Sequence, residues 1–464
     1  MARHDTSTES TPSGVRDLAQ WALSVRVEDI SAQALAQAKL LLLDTLGCCF
    51  PASAIGTGRA VIEMLADIRG QPQCSVIGTT WKASMPDAVF TNGVLLRALD
   101  LNDYVVEPDG SIGGHPSDNI PVAVAAGESA GRTGPDILAA IVVGYEVFGH
   151  FRSMMERRSA WDGVSASAVA APLMAGRLIG LDRRELAHAI ALSLSRAATS
   201  AVVRAGDISA AKSLANALVA QHGVYCALLA RHGVTGPLCI LEHPRGMKAV
   251  FPKFDGIARP ACPEQADSYV MKAQIKTYPC VATAQGAVAA ALELHRVLGG
   301  DVDRLRRIRV VMADYPNVRE HQADPDRANP TSHNAADHSL AFLITVSLLD
   351  GALGPAQFEN ERWAHPTVRE MMSRLEFATD ATLSRRAPLT YPCVLEAQEA
   401  TGEDHRVEVL FPPGFSRARL DPDVVMQKFR TLTAGYLDAA AAERMIESIM
   451  RLDQPGSRLD LAAG

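Results

Sequence analysis

Residues 97–119 read RALDLNDYVVEPDGSIGGHPSDN. Five carboxylates, Asp100, Asp103 and Glu107 foremost, a tyrosine (Tyr104), a glycine-bracketed loop and a histidine (His115) fall inside this one stretch, and apolar, helix-like sequence flanks it on both sides. Burying so many titratable groups is costly unless they face a polar cleft. The stretch therefore reads as the floor of a site held between two core helices, and the rest of the chain should supply its partners.

Working outward, residues 88–99 have helical spacing and deliver Asp100 and Asp103 at the helix C-terminal end, three apart, where both can face one side. On the other side Ser117 is an N-cap candidate, followed by Asp118 and a helix to about residue 130. His115 thus stands just before a helix entrance. Further helices are expected over 31–49 (with Ser31 as N-cap), 135–151, 163–178, 182–197 and 208–231, the last stopping at Gly233. Short glycine-containing turns between them point to an all-helical domain.

The pattern changes near Pro252. Residues 268–277 and 305–313 alternate as strands do, and 393–400 with 406–411 form a hairpin candidate. Helices are expected over 283–298, 336–349 and 368–374, and again after Asp421. The expected fold is mainly α: a tail at 1–14 without order, a large helical domain at 15–262, a smaller α+β domain at 263–412, and C-terminal helices at 413–464 returning to the helical domain.

Totals agree with two domains, since 464 residues exceed one ordinary core. Apolar residues make up 48 % of the chain but aromatics only 5 %, so the core is built of Ala, Leu and Val, a mixture suited to packed helices. A net charge of −7 and the lack of a basic stripe argue against a nucleic-acid partner. The eight cysteines include no CxxC pair and read as reduced thiols of a cytoplasmic protein. The polar N-terminus is not a secretory signal, and no run of 18 apolar residues predicts a membrane span. No GxGxxG, P-loop or GxSxG motif occurs. His333 and His338 are five apart with no third ligand in view, so neither a cofactor nor a metal is expected.

Four segments, RALDLNDY…GGHPSDNIP, AAKSLANALVAQHGVYCALLARHGVTGP, IKTYPCVATAQGAVAAALEL and NPTSHNAADHSLAFLITVSLLDG, together resemble the MmgE/PrpD family over nearly the whole chain. Its members include 2-methylcitrate dehydratase, cis-aconitate decarboxylase and iminodisuccinate epimerase. The resemblance implies a helical domain with a smaller α+β domain over the site, a homodimer, and a small di- or tricarboxylate substrate. The implied step is proton transfer at carbon next to a carboxylate, by a lyase or, alternatively, an epimerase or decarboxylase. Such a step needs a base, together with cations for the charge that grows on the carboxylate.

Asp100 matches the first Asp of the family's LDFND motif, and Tyr104 stands where many relatives carry Thr. His115 matches the histidine of HPS. At a helix entrance the dipole opposes its protonation, so a neutral imidazole there suits a base. Lys212 is a lone cation on a small apolar face, corresponds to the family's site lysine, and reads as a carboxylate clamp; Arg204 is a second, weaker cation. Asp100, Tyr104, His115 and Lys212 are thus the catalytic candidates, and Arg204, Lys276, Tyr278, Gln285 and His338 the substrate-binding ones. His338 has two readings, a site residue or a pinned helix N-terminus. One departure stands out: many relatives have a histidine near Trp161 or Gly163, and this chain has none. Phe342 likewise replaces a tyrosine of the decarboxylase.

Overall fold

A computed structural model describes residues 13–68, 70–196, 198–206, 208–256, 259–260, 268–415 and 419–461. Most of the expected tail, and the boundary placed at 262/263, lie outside them. The fold is mainly α, with a smaller α+β region.

At the centre of the helical part runs Ala32–Ala52, where Ser31 Oγ accepts the Ala34 N–H at 3.2 Å and so closes one of the free donors of the first turn. Around it pack Met85–Arg97, Gly134–Ser153 and the C-terminal helix Pro422–Thr433. The pairing that matters for the site is between Met85–Arg97 and Ala211–Arg231. A Cβ on Gly93 would lie 3.1 Å from Ala217 Cβ, so glycine lets the two helices approach closely. That contact brings the end of the first helix beside Lys212 at the start of the second. Lys428 ties the C-terminal return into the same core: its ammonium is 2.6 Å from buried Asp44 and donates to the Leu101 carbonyl at 2.9 Å. Ala32–Ala52 and Ala211–Arg231 are long and apolar enough to cross a membrane, but both are packed largely inside this core.

The α+β part holds a four-stranded sheet in the order Leu375–Asp380, Leu305–Ala313, Cys393–Glu399, Asp404–Val409. The first pair is parallel, with Val310 opposite Phe377; the others are antiparallel, with Val310 opposite Leu395 and Leu395 opposite Val407. Helices Gln285–Val297 and Leu340–Asp350 build a second core with this sheet, and Tyr104 and Val106 from the first half of the chain reach into it.

Four expectations are corrected. Residues 268–277 are not a strand: Tyr269–Lys272 is a helical turn, because the buried Glu146 carboxylate accepts the N–H groups of Tyr269 and Val270 at 3.0 and 3.1 Å. Only Gln274 bridges, to Tyr104. Ser117 is not an N-cap; a 3₁₀ turn, Pro116–Asn119, leads into Ile120–Ser129, and the Ser117 hydroxyl instead donates to Asp103 at 2.5 Å. The helix expected over 336–349 is broken, since Ser339 N-caps a fresh helix Leu340–Asp350 by accepting the Phe342 N–H at 3.2 Å. Strand Leu375–Asp380 was not foreseen, being a short, half-exposed edge strand.

Candidate functional site

Helix Met85–Arg97 stops three residues short of Asp100, which sits in the left-handed region at φ +48°. That conformation is unfavourable for a residue with a side chain and persists where surrounding contacts hold it. The contacts are three cations. Lys276 Nζ lies 3.0 Å from Asp100 Oδ1, Arg97 Nη2 3.2 Å from the same oxygen, and Lys212 Nζ 3.5 Å from Oδ2. Exposure is 2 % for Asp100, 3 % for Lys212 and 0 % for Lys276. Burial pushes the Asp100 carboxyl up, but Lys212, Lys276 and Arg97 outweigh it and hold the group well below the usual carboxylate range. Burial in turn pulls both lysines below their ordinary value, with Asp100 opposing.

The break before Leu340 has a purpose here. It turns Asp337 and His338 into the cluster: Lys212 Nζ is 3.7 Å from Asp337 and 3.3 Å from His338 Nδ1, and His338 Nε2 is 3.8 Å from Asp100. His338 Nδ1 also pairs with the Asp337 carboxylate. Burial, then the Lys212 charge, pushes His338 down to about 4, so its imidazole is neutral near pH 7. The sequence reading found no third partner for this histidine, whereas the fold supplies Asp100 and Asp337, whose oxygens lie with a His338 ring nitrogen inside 4.8 Å. The Lys212 ammonium already stands 3.3 to 3.7 Å from one atom of each, so a metal ion held by these three would have to displace it. His333 takes no part, stacking on Phe358 at 4.8 Å.

His115 lies at the partly exposed edge of the same stretch. Its Nδ1 is 2.5 Å from the Asp103 carbonyl oxygen, which accepts only; the proton therefore sits on Nδ1 and leaves the Nε2 lone pair available. Burial, reinforced by Arg97 and Lys276, keeps the ring well below its ordinary value and hence neutral. A buried network stiffens this floor. Arg97 Nη1 donates to Asn102 Oδ1 at 2.7 Å, while Asn102 Nδ2 donates to Ser117 Oγ at 2.8 Å and to Asp118 at 2.9 Å. Asp103 accepts from Ser117 and from the Tyr145 hydroxyl at 3.0 Å, and burial pushes its carboxyl up to about 7.

The structure thus gathers Asp100, Lys212, Lys276 and His338, with His115 at the rim. Arg204 flanks them, two-pronged on Asp162 at 2.5 and 3.3 Å, and close enough to lower the Lys212 pKa. Asp162 itself N-caps the turn Gly163–Ala166. An Asp–Arg pair therefore stands at the start of this turn, and a Cβ on Gly163 would meet Arg152 Nε at 2.6 Å.

Two candidates turn out differently from expectation. Tyr104 packs in the second core, where burial raises its phenol, and among the described residues no polar contact joins its hydroxyl to Asp100, Lys212 or Lys276. Gln285 spends its amide on main chain: Oε1 accepts from Thr277 and Tyr278 N–H at 3.0 and 3.1 Å, and Nε2 donates to the Tyr278 carbonyl at 2.9 Å. It shapes the loop that carries Lys276 and leaves Tyr278 half-buried beside it. Phe342 is fully buried against Phe358 and Trp363. Arg97 and Asp337 are site residues that the sequence reading did not select. Arg97 carried a signal: a lone arginine closing an apolar helix, three residues before an aspartate.

Two family models match the chain. Residues 16–258 match the family model of the MmgE/PrpD N-terminal domain, and residues 278–454 that of the C-terminal domain. The chain is 27 % identical to a 2-methylcitrate dehydratase of Cupriavidus necator, over 88 % of this chain and 87 % of that protein. It is 25 % identical to human cis-aconitate decarboxylase over 92 % and 89 %. A cis-aconitate decarboxylase-like protein of Aspergillus oryzae is 24 % identical over 99 % and 98 %.

Proposed function

The chain belongs to the MmgE/PrpD family, and from that premise we propose that it is a cofactor-independent hydro-lyase acting on a 2-methylcitrate-like polycarboxylate. The observation that carries the reading is the pairing of a neutral, tautomer-fixed His115 with a buried cluster of Lys212, Lys276 and Arg97 around Asp100. His115 Nε2 takes the proton from the carbon next to a carboxylate. The electron pair forms the C=C bond as the hydroxyl on the neighbouring carbon departs, protonated to water by a second group; Lys212, lowered by burial, fits that role or the clamping of the carboxylate. Cations fixed in a dry site stabilise the charge that grows on the carboxylate oxygens without reorganising. Lys212 touches its three neighbours only at 3.3 to 3.7 Å, and is the cation best placed to turn toward a substrate.

The test is a panel of citrate-type hydroxy-acids followed by absorbance near the ultraviolet edge, with the product identified by mass. A new alkene with loss of water supports the reading, and no turnover on any member overturns it. Carbon dioxide release from an unsaturated acid would place the chain with the decarboxylases instead. Solvent deuterium in recovered substrate without an alkene would indicate an epimerase.

A further inference from the structure

The segment between Asp100 and His115 is gripped at three points by residues far along the chain, Gln274, Lys276 and Tyr391. Lys276 Nζ donates to the Asp100 carbonyl at 2.8 Å. Tyr104 and Gln274 exchange both main-chain hydrogen bonds at 2.8 Å. Between them, Val105–Val106 and Ile112–Gly114 form a small hairpin whose Gly114 directly precedes His115. The tip of that hairpin is Gly110, at φ +77°, and its carbonyl accepts the buried Tyr391 hydroxyl at 2.8 Å. Asn317 Nδ2 donates to the same hydroxyl at 2.9 Å, which orients its proton toward Gly110. The Tyr315 ring stands edge-on to Tyr391 at 5.9 Å and covers the tip so closely that a Cβ on Gly110 would fall 2.0 Å from it.

We propose that Tyr391 is a positioning residue: its bond to Gly110 latches the hairpin to the α+β domain and so sets the place of His115. This rests on the hydro-lyase reading for its catalytic consequence, but the latch itself does not. Two short antiparallel strands are not stable alone. With its tip pinned on the α+β domain and its base leading straight into His115, the hairpin transmits the seating of one domain on the other to the ring that moves the proton.

The experiment compares the full chain with Tyr391→Phe and Asn317→Ala. Hydrogen exchange is read on the 105–114 peptide, and carbethoxylation of His115 by diethyl pyrocarbonate is read by mass. Tyr391→Phe should speed exchange of the hairpin and modification of His115 by about tenfold while leaving helix Ala211–Arg231 protected, since local opening is separable from global unfolding. On an acid that the wild type turns over, kcat should fall about tenfold with KM little changed, as a misplaced reacting group does. Asn317→Ala, which keeps the hydroxyl, should give a smaller change in the same direction. Unchanged hairpin exchange and His115 reactivity would overturn the latch. Faster exchange with an unchanged kcat would overturn the positioning role. If the wild type turns over no acid, the hydro-lyase reading falls and the latch is judged on exchange and modification alone.

Discussion

Lys276 holds Asp100 twice, by an ion pair of 3.0 Å to the carboxylate and a hydrogen bond of 2.8 Å to the carbonyl of the same residue. The two residues lie 176 positions apart in the chain, and this double grip fixes the left-handed backbone that aims the carboxylate at Lys212. The site is thus assembled from residues far apart in the chain, and what happens to its members follows.

Removing the ammonium by Lys276→Met leaves Asp100 buried with one grip fewer on its main chain and its charge less compensated. Breaking a buried pair from one side costs roughly 3–5 kcal/mol. Urea denaturation should show a loss of that order, and Lys276→Met combined with Asp100→Asn should lose less than the sum of the single changes.

His115→Gln keeps a hydrogen-bonding side chain of similar reach but removes the base. Turnover of the best acid in the panel should fall by roughly 10²–10⁴, the usual worth of a positioned proton acceptor. The unfolding midpoint should move little, and an unchanged kcat would exclude His115 as the base.

Asp103 carries a pH signature. Its carboxyl is pushed up to about 7 by burial, so the folded chain holds a proton there that the unfolded chain has already released. The stability this adds is full below about pH 4 and is lost as pH rises toward about 7. Asp103→Asn cannot titrate. Its stability relative to wild type should therefore improve between pH 5 and pH 8 by up to roughly 3 kcal/mol. A difference between the two proteins that stays flat over that range would contradict it.

Gln285→Ala removes five hydrogen bonds from the loop that carries Lys276, to Thr277, Tyr278 and Cys280. Unsatisfied main-chain groups cost roughly 1–3 kcal/mol each when buried, less where water enters. The expected result is a lower unfolding midpoint and a raised KM, with Gln285→Glu recovering the two bonds accepted by Oε1 and part of the stability.

Much of the architecture was legible where pattern and chemistry agree locally. Residues 305–313 alternate and form the strand Leu305–Ala313 as read, and Ser31 caps its helix because a hydroxyl one residue before an apolar run has a free N–H to bond. Lys212 was legible because a lone cation on a small apolar face must find anions. What misled was local pattern that a distant group overrode: the alternation of residues 268–277 lost to the Glu146 carboxylate, and Ser117 left its expected cap for Asp103. Tyr104 and Gln285 were selected by correspondence with family positions, and their letters alone did not show that the phenol packs in the second core or that the amide bonds the Thr277–Tyr278 main chain.

The sequence by itself determined the two-part mainly α fold, the family, and a short roster of charged residues that a dry core would not tolerate unpaired. Only the tertiary structure decided which of them meet. Asp100 meets Lys212 because Gly93 lets two helices close on Ala217, and His338 joins them because a helix breaks before Leu340. Those contacts join residues more than a hundred positions apart, and hydrophobic periodicity, which reports only which face of an element is buried, contains no term for the partner it will be buried against.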